Sequence, residues 1–203
     1  PLLNLETITV SGQTLGDRLE IDQRYIDHKI ISKANSPLEA QGGLVALFGN
    51  LAPRGALFNI SAADKNLFEK VGRAVVFTSL EDLANRIDDP DLDITADDFM
   101  VLQNAGPKSA SGMPEAGYLP IPTKLSQNGV KDMVRISDAR MSGTAFGTII
   151  LHVTPESSIG GTLGLVQNGD LIKLSVQNKI IELLVDETEL NRRRSCWVSD
   201  NQE

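Results

Sequence analysis

Apolar residues along this chain occur in short runs that are separated by Gly, Pro, Asn and Asp. Short runs with β-branched or aromatic members are typical of buried strands. The pattern predicts strands in the following segments: Ile8–Val10, His28–Ile31, Leu44–Phe48, Ala56–Ile60, Arg73–Phe77, Phe99–Leu102, Val130–Ile136, Thr148–Val153, Leu163–Val166, Leu171–Val176 and Ile180–Val185.

Helical spacing is confined to a few short segments. Helices are predicted over Gln13–Glu20, Ala63–Lys70, Leu80–Ile87, Lys124–Gln127 and Asp186–Arg194. Ser79 is a good N-cap for the third of them, with Asp82 at the capping-box position. Asn168-Gly169-Asp170 predicts a hairpin turn between Leu163–Val166 and Leu171–Val176. Many short strands with few helices indicate a β-rich α/β domain, barrel-like or sandwich-like.

Charge and composition narrow the class of protein. The 203 residues are 41% hydrophobic and carry a formal net charge of −8. A negative surface argues against a nucleic-acid partner and favours a cytoplasmic protein. No apolar run reaches the about 20 residues that cross a bilayer, so no membrane partner is expected. The single cysteine, Cys196, excludes an internal disulfide and any site built from several thiolates of this chain alone.

The chemically most informative segment is Ser-Asp-Ala-Arg-Met-Ser-Gly at 137–143. It places the Ser142 hydroxyl in a Gly-bounded turn directly after an apolar run. A hydrolase elbow needs glycine two positions before the serine, where this chain has arginine. A Ser-His-Asp triad would need His28 or His152 with a carboxylate such as that of the aspartate in this segment, and the spacing selects neither. Ser142 is therefore open between a nucleophile, a base and a turn residue.

Other polar residues have two or more interpretations each. Glu115 follows a proline in a long irregular segment, 104–122, where a carboxylate serves as a hard-cation ligand, a general base or an exposed loop residue. Asp138 and Arg140 either form an ion pair that shapes the turn, or leave Arg140 to bind an anionic substrate through its planar guanidinium. His152, within an apolar run, is either a hydrogen-bonded core residue or a ligand.

Four motifs occur in order along the chain and identify a family together. They are Gly42-Gly43 through Gly49-Asn50-Leu51-Ala52-Pro53, Gly72 through Phe77, Gly106-Pro107 with Gly112-Met113-Pro114-Glu115, and 137–143 with Gly147, His152, Pro155-Glu156 and Gly160-Gly161. In this order and spacing they resemble the dihydroxy-acid and sugar-acid dehydratases, which include 6-phosphogluconate and aldonate dehydratases. Ala139, Met141 and Thr144 resemble the sugar-acid branch more than the branched-chain amino-acid enzyme.

The resemblance implies a fold and a reaction. The fold is a β-barrel flanked by helices, like the swivelling domain of aconitase. The reaction is the loss of water from a 2,3-dihydroxy acid, which gives a 2-keto acid through an enol. By the same resemblance, Ser142 is the base that removes the C2 proton, Glu115 is a Mg²⁺ ligand, and Thr144 lies near the substrate carboxylate. An iron–sulfur cluster would act as Lewis acid on the leaving 3-hydroxyl.

The resemblance also implies that residues 1–203 are a single C-terminal domain. The cluster cysteines and the remaining Mg²⁺ ligands belong to the family's larger N-terminal domain, which this sequence lacks. We therefore expect this domain to be inactive alone, to act with its own N-terminal domain on a small sugar acid or dihydroxy acid, and to form a homo-oligomer when full length. The alternatives are a non-catalytic binding or regulatory module that kept the barrel and a serine hydrolase. Ala105 and Ser109–Ser111 depart from the family's usual loop.

Overall fold

The computed structural model describes residues 3–21, 26–115, 119–142 and 146–200. Two compact units divide the chain, Pro1–Gln41 and Gly42–Glu203. The expectation of a single C-terminal domain over residues 1–203 stays a prediction.

The unit Pro1–Gln41 contains one helix in its described part, α1 (Leu15–Ile21). Thr14 and Asp17 exchange capping hydrogen bonds at the start of α1. The Asp17 N–H donates to the Thr14 hydroxyl at 3.1 Å, and that hydroxyl donates to the Asp17 carboxylate at 2.6 Å. The helix predicted over Gln13–Glu20 is confirmed.

The two strands predicted in this unit are wrong. His28–Ile31 forms a turn whose last two amides donate to the Asp27 carbonyl at 3.0 and 2.9 Å. Ile8–Val10 makes only an isolated bridge, between Ile8 and Thr14. An apolar run becomes a strand where a neighbouring strand takes up its backbone hydrogen bonds, and in the described part of this unit these runs find turns and a single bridge instead.

In the unit Gly42–Glu203, the described residues form one eight-stranded sheet. Its strands are β1 (Leu44–Leu47), β2 (Ala56–Asn59), β3 (Glu69–Phe77), β4 (Phe99–Leu102), β5 (Arg135–Ser137), β6 (Ile149–Leu151), β7 (Leu171–Ser175) and β8 (Ile180–Leu183). Their order across the sheet is β1-β2-β6-β5-β4-β3-β7-β8. The central strands β3, β4, β5 and β6 pair in parallel, and the remaining pairs are antiparallel.

The two outer strands approach each other and nearly close the sheet into a barrel. Phe48, directly after β1, donates its amide to the Lys179 carbonyl at 2.9 Å and accepts from the Ile181 N–H at 2.8 Å. At Gly49 a Cβ would lie 2.0 Å from the Ile181 carbonyl oxygen, so this approach requires glycine. The β-rich α/β barrel expected from the sequence is confirmed.

Three further α-helices of the described part flank the sheet: α2 (Leu80–Arg86), α3 (Thr123–Gln127) and α4 (Glu187–Asp200). α2 begins as predicted, with the Ser79 hydroxyl accepting from the Asp82 N–H at 3.1 Å. α4 extends past its predicted end, and the largely buried Arg193 side chain pairs with Asp170 and Glu189. No helix in the described ranges is both long enough and apolar enough to span a bilayer.

Two local predictions in this unit are wrong. Ala63–Lys70, predicted as a helix, contains a 3₁₀ turn at Lys65–Leu67 and then enters β3. Leu163–Val166, predicted as a hairpin strand, lies largely in a 3₁₀ turn at Thr162–Leu165, and β7 pairs with β3 and β8. The side-chain amide of Gln103 donates to two carbonyls of this turn, at 2.8 and 2.9 Å, and takes the place of a strand partner.

Side chains along the strands alternate between the inside of the barrel and its outer surface. The inner core includes Val45, Leu47, Phe58, Val76, Val101, Ile136, Ile150, Ile172, Leu174 and Ile181. The outer core, to which α2 and α3 contribute, includes Phe77, Leu83, Met100, Leu102, Met133, Leu151 and the partly buried Leu125. The parallel strands are therefore buried on both faces, which explains their continuous apolar runs in the sequence.

The parallel strands bring three loops to one edge of the sheet. The segment with Glu115 follows β4, the turn with Ser142 follows β5, and His152 follows β6. Parallel strands end at the same edge, so the polar residues of these loops lie at the carboxyl ends of the strands. Ligands of α/β sheets bind at this kind of edge.

Phe58→Ala should lower the free energy of unfolding of this chain by about 3–5 kcal/mol. Phe58 is fully buried inside the barrel, and its ring meets Phe68 edge to face with centroids 5.6 Å apart. Urea unfolding followed by circular dichroism measures the change. Phe146→Ala is the matched control, because Phe146 is 72% exposed and its loss should cost at most about 0.5 kcal/mol. Equal effects of the two substitutions would contradict this assignment of the core.

Candidate active site

Ser142 borders a cavity beside the start of β1 and the end of β2. The residue is 8% exposed and lies at the end of the turn 137–142, called the serine turn below. The cavity has a volume of about 440 Å³, and its other lining residues are Gly43, Leu44, Asn59, Ser61 and Met141. β1 and β2 thus supply one wall and the serine turn another. A cavity of this size suits a small polar molecule.

The carboxylate of Asp138 fixes the beginning of the serine turn. Asp138 is 1% exposed, and its two oxygens accept from the Ala105 N–H at 2.9 Å and from the Ser157 N–H at 2.8 Å. One buried carboxylate therefore joins the loops that follow β4, β5 and β6. A carboxylate that accepts backbone N–H groups in this way makes strong, charge-assisted hydrogen bonds.

The contact between Glu156 and Gly106 explains why these two residues occur in the sequence motifs. The buried Glu156 carboxylate accepts from the Lys108 N–H at 3.0 and 3.2 Å. A Cβ at Gly106 would lie 2.0 Å from the Glu156 carboxylate oxygen Oε2. The glycine therefore permits the loop after β4 to close onto the loop after β6.

A buried ion pair fixes the chain where it returns from the serine turn to β6. Arg135 and Asp132 pair at 3.0 Å, and Arg135 also donates to the Phe146 carbonyl at 3.0 Å. The Asp132 carboxylate accepts from the Thr148 N–H at 2.8 and 2.9 Å and from its hydroxyl at 2.7 Å. Burial lowers the pKa of Arg135, and the Asp132 charge opposes that shift. Both ends of the loop that contains Ser142 are therefore anchored by buried charge.

Glu115 and Arg140 form an ion pair beside the serine turn. The Arg140 Nη1 lies 2.6 Å from the Glu115 Oε1, and both side chains are about half exposed. Their backbones also form a short parallel bridge, in which the Arg140 N–H donates to the Pro114 carbonyl at 3.2 Å. The structure thus brings Glu115 and Arg140 together. The ion pair between Asp138 and Arg140 that the sequence suggested is wrong, because Asp138 bonds to backbone amides.

His152 is hydrogen-bonded to the serine turn. Its Nε2 accepts from the Met141 N–H at 2.9 Å, so the proton of the neutral ring is on Nδ1. Burial, and then the charge of Arg140, lower the pKa of His152 and keep the ring neutral. A triad histidine would instead use a ring nitrogen to accept from the serine hydroxyl. The bonds of His152 and Asp138 in the structure are therefore not those of a Ser-His-Asp triad.

Of the remaining predicted site residues, Thr144 lies outside the described residues. Among the described residues, no group of three or more His, Cys, Asp or Glu side chains is arranged to hold a metal ion. Cys196 is exposed on α4. Within the described ranges, Glu115 is thus a single carboxylate rather than part of a complete metal site.

Comparison with known proteins decides the family. Residues 29–203 match the model of the dihydroxy-acid/6-phosphogluconate dehydratase C-terminal family. The chain belongs to this family. The resemblance that the motifs indicated is therefore confirmed, and the turn that holds Ser142 is part of a dehydratase C-terminal domain.

The relatives of this domain are named for different acids. The chain is 45% identical over 196 residues to an L-arabinonate dehydratase of Rhizobium leguminosarum, and the aligned region covers 97% of this chain and 34% of the relative. It is 46% identical over 201 residues to a 6-deoxy-6-sulfo-D-gluconate dehydratase of Pseudomonas putida (98% and 34%). A dihydroxy-acid dehydratase of Chromohalobacter salexigens is 37% identical over 198 residues (97% and 34%). The chain spans about a third of the length of these relatives.

Sequence reasoning missed two residues of this dehydratase domain that line the cavity. Asn59 ends β2, and Ser61 follows it in a 3₁₀ turn. The Ser61 hydroxyl donates to the Asn59 side-chain oxygen at 2.7 Å, which leaves the Asn59 amide protons for another acceptor. No sequence signal selects them, because their proximity to Ser142 arises only when β2 pairs with β6.

Asp138→Asn should destabilise the domain by about 1–3 kcal/mol. The asparagine side chain offers one acceptor and one NH₂ donor, so one of the Ala105 and Ser157 N–H groups would lose its partner in a buried site. Thermal and urea unfolding measure the loss. Asp91→Asn is the control, because Asp91 is exposed. A variant as stable as this control would refute the anchoring role of Asp138.

Proposed function

We propose that this chain is the C-terminal domain of a hydro-lyase that dehydrates a 2,3-dihydroxy sugar acid to a 2-keto-3-deoxy acid. The observation that carries the proposal is the placement of Ser142 in a cavity, at the end of the turn that follows β5 and two positions after Arg140, which pairs with Glu115. Membership in a dehydratase family supports it. Reaction, substrate and residue roles are proposals for the whole protein, of which this domain supplies one part.

Two kinds of observation favour a sugar acid as the substrate class. Relatives at 45–46% identity are named for polyhydroxy acids, whereas the dihydroxy-acid dehydratase named above is 37% identical. The cavity also carries the polar pair Asn59 and Ser61, whose amide and hydroxyl match the hydroxyl groups of a sugar chain. Arg140, about half exposed, presents a planar fork that suits a carboxylate.

Ser142 is the proposed base. Its oxygen would take the proton from C2, the C2–H electron pair would form the C2–C3 double bond, and the C3–O bond would break. The departing hydroxide takes up the proton that Ser142 removed from C2 and leaves as water, which restores the serine oxygen, and the enol that remains tautomerises to the 2-keto acid. A serine hydroxyl is a weak base in water, so the alkoxide must be stabilised by positive charge nearby. Arg140 is the described cation closest in sequence to Ser142, two positions before it.

The described residues fit Mg²⁺ as one contributor to its site. Glu115 offers a carboxylate that is about half exposed, and hard oxygen ligands are those that Mg²⁺ takes. When bound, Mg²⁺ would supply positive charge for the serine alkoxide and the substrate oxygens. Glu115 would hold it, and the other ligands would come from outside the described residues.

The residues of this chain do not fit an iron–sulfur cluster. Such clusters need several cysteine thiolates, and the one cysteine, Cys196, is exposed on α4. The expected cluster therefore stays a prediction for the part of the relatives' length that this chain does not span. We assign to that same part the family's N-terminal domain as partner, and self-association and a cytoplasmic location stay predictions for the complete protein.

Ser142→Ala in the complete protein should lower kcat for dehydration of an aldonic acid by about a hundredfold to ten-thousandfold, the usual contribution of a general base. Formation of 2-keto acid from L-arabinonate, D-gluconate and 6-deoxy-6-sulfo-D-gluconate, each with Mg²⁺ under anaerobic conditions, measures it. Ser126→Ala is the control, since that hydroxyl is exposed and bonds only within α3 among its described partners.

Three outcomes discriminate between the candidate functions. Unchanged turnover in Ser142→Ala would remove the base assignment. No turnover of any acid by the wild-type protein would favour a non-catalytic module that kept the barrel. Labelling of Ser142 by a fluorophosphonate would favour a serine hydrolase, and the bonds of His152 argue against that result.

Glu115→Gln in the complete protein should weaken Mg²⁺ binding by at least about tenfold, because it removes a charged ligand, and changes to groups that only orient a ligand already cost that much. Isothermal titration with Mg²⁺ and electron paramagnetic resonance with Mn²⁺ measure binding without reference to turnover. Glu182→Gln is the control, since Glu182 is partly exposed and faces Lys173 on the neighbouring strand. Equal affinities in the two variants would exclude Glu115 from the metal site.

A further inference from the structure

His152 meets the serine turn at two backbone positions. Its Nε2 accepts the Met141 N–H at 2.9 Å, and its own N–H donates to the Ala139 carbonyl at 2.9 Å. Met141 directly precedes Ser142, so the imidazole holds the peptide group next to the one that carries the candidate base. His152 is therefore linked to Ser142 through the Met141 backbone, because its Nε2 accepts from the Met141 N–H rather than from the Ser142 hydroxyl.

The backbone of His152 has a conformation that most residues avoid. Its φ is 55°, in the left-handed region, where histidine, asparagine and aspartate are enriched among residues with a side chain. Such conformations persist where the surroundings over-determine them, and they cluster at functional sites. A residue that only filled space after β6 would need neither this φ nor a lone pair directed at Met141.

The surroundings of His152 keep its ring neutral. Arg140 lies in the serine turn that His152 contacts, Arg54 lines the same cavity of about 250 Å³, and Asp138 precedes Ala139, whose carbonyl accepts the His152 N–H. The Asp138 carboxylate is already engaged by the Ala105 and Ser157 amides. Burial and the Arg140 charge together lower the pKa of His152. A protonated ring would have donors on both nitrogens and would lose the Met141 bond.

We infer that His152 is a positioning residue of this active site, whose neutral imidazole fixes the Ser142 hydroxyl by accepting the Met141 amide, so that acid inactivates the site by protonating His152. The inference rests on the proposed role of Ser142 as base. His152 does not touch the reacting atoms and acts only through the serine turn.

Two substitutions in the complete protein separate positioning from simple packing. Glutamine at 152 places its Oε1 near the position of the imidazole Nε2 and still accepts the Met141 amide, whereas the side chain of asparagine is too short. His152→Asn tolerates the left-handed backbone but should lower kcat for L-arabinonate, or for whichever tested aldonic acid is turned over, by about tenfold to a hundredfold. Its KM should stay within about threefold of wild type, and His152→Gln should restore kcat to within about threefold. Equal kcat values for the two variants would overturn the inference.

The pH profile supplies a readout that a packing role would not change. Because the pKa of His152 is lowered in the folded protein, the neutral ring persists below its ordinary value of about 6.5, and the Met141 bond is lost as pH falls through the folded value. The unfolded chain takes up this proton first, so the domain also loses stability as pH falls below about 6.5. In wild type, kcat/KM should show this acid limb, and in His152→Gln the loss of activity should move to lower pH. Acid-sensitive groups elsewhere affect both proteins equally, so identical acid limbs in the two proteins would refute the inference.

The tautomer of His152 can be measured without any turnover. ¹⁵N-histidine labelling of the wild-type protein should show Nδ1 protonated and Nε2 unprotonated at pH 7, with the signal assigned by its loss in His152→Gln. An Nε2-protonated ring would overturn the inference even if dehydration proceeds. If the tautomer is as expected but Ser142→Ala retains full turnover, the proposed base role fails and the hydrogen bond to the serine turn stands.

Discussion

The buried carboxylate of Asp138 is the contact on which the arrangement of the active-site loops depends. It lies at the end of β5 and accepts one backbone amide from the loop after β4 and another from the loop after β6. A charge removed from water is stable only when it is fully hydrogen-bonded, so the three loops can adopt their positions only together. Ser142, Glu115 and His152 each lie on one of these loops. The geometry of the site is thereby coupled to one interaction rather than to three independent loop conformations.

The barrel supplies rigidity beneath these loops, and buried charge supplies it at their ends. Apolar side chains fill both faces of the parallel strands, so the strand ends have little freedom to shift. Beyond the serine turn, Arg135 and Asp132 hold the returning chain at Phe146 and Thr148. Between the two anchors, Ser142 is held in place while Arg140 and Glu115 remain half exposed. The roles proposed for these residues need this combination, because a base must be fixed and ligand groups must reach substrate and cation.

Strands and caps whose causes are local were predictable from the sequence. β4 was predicted with the bounds that the structure shows, and the Ser79 cap of α2 follows from residues within one turn. The serine turn was recognisable as a motif. Its contacts were not, since Glu115 and Arg140 are distant in sequence and meet only because β4 and β5 are parallel neighbours. The same reason explains the failed strand at Leu163–Val166, where the Gln103 side chain takes the backbone bonds that a neighbouring strand would have taken.

The near-closure of the barrel has a consequence for how the chain reaches this structure. Phe48 directly follows β1 and is hydrogen-bonded to Lys179, just before β8, and to Ile181 within β8. The two ends of the sheet therefore meet only when most of the unit Gly42–Glu203 is in place. Contacts between positions so distant in sequence slow folding, because the entropy of closing the intervening chain is lost before the contacts form. Once formed, the closure covers the edge of β8, because Phe48 and the Asn50 side chain take up backbone hydrogen bonds of Ile181 and Leu183. The same contacts that delay folding therefore keep this strand edge from pairing with another chain.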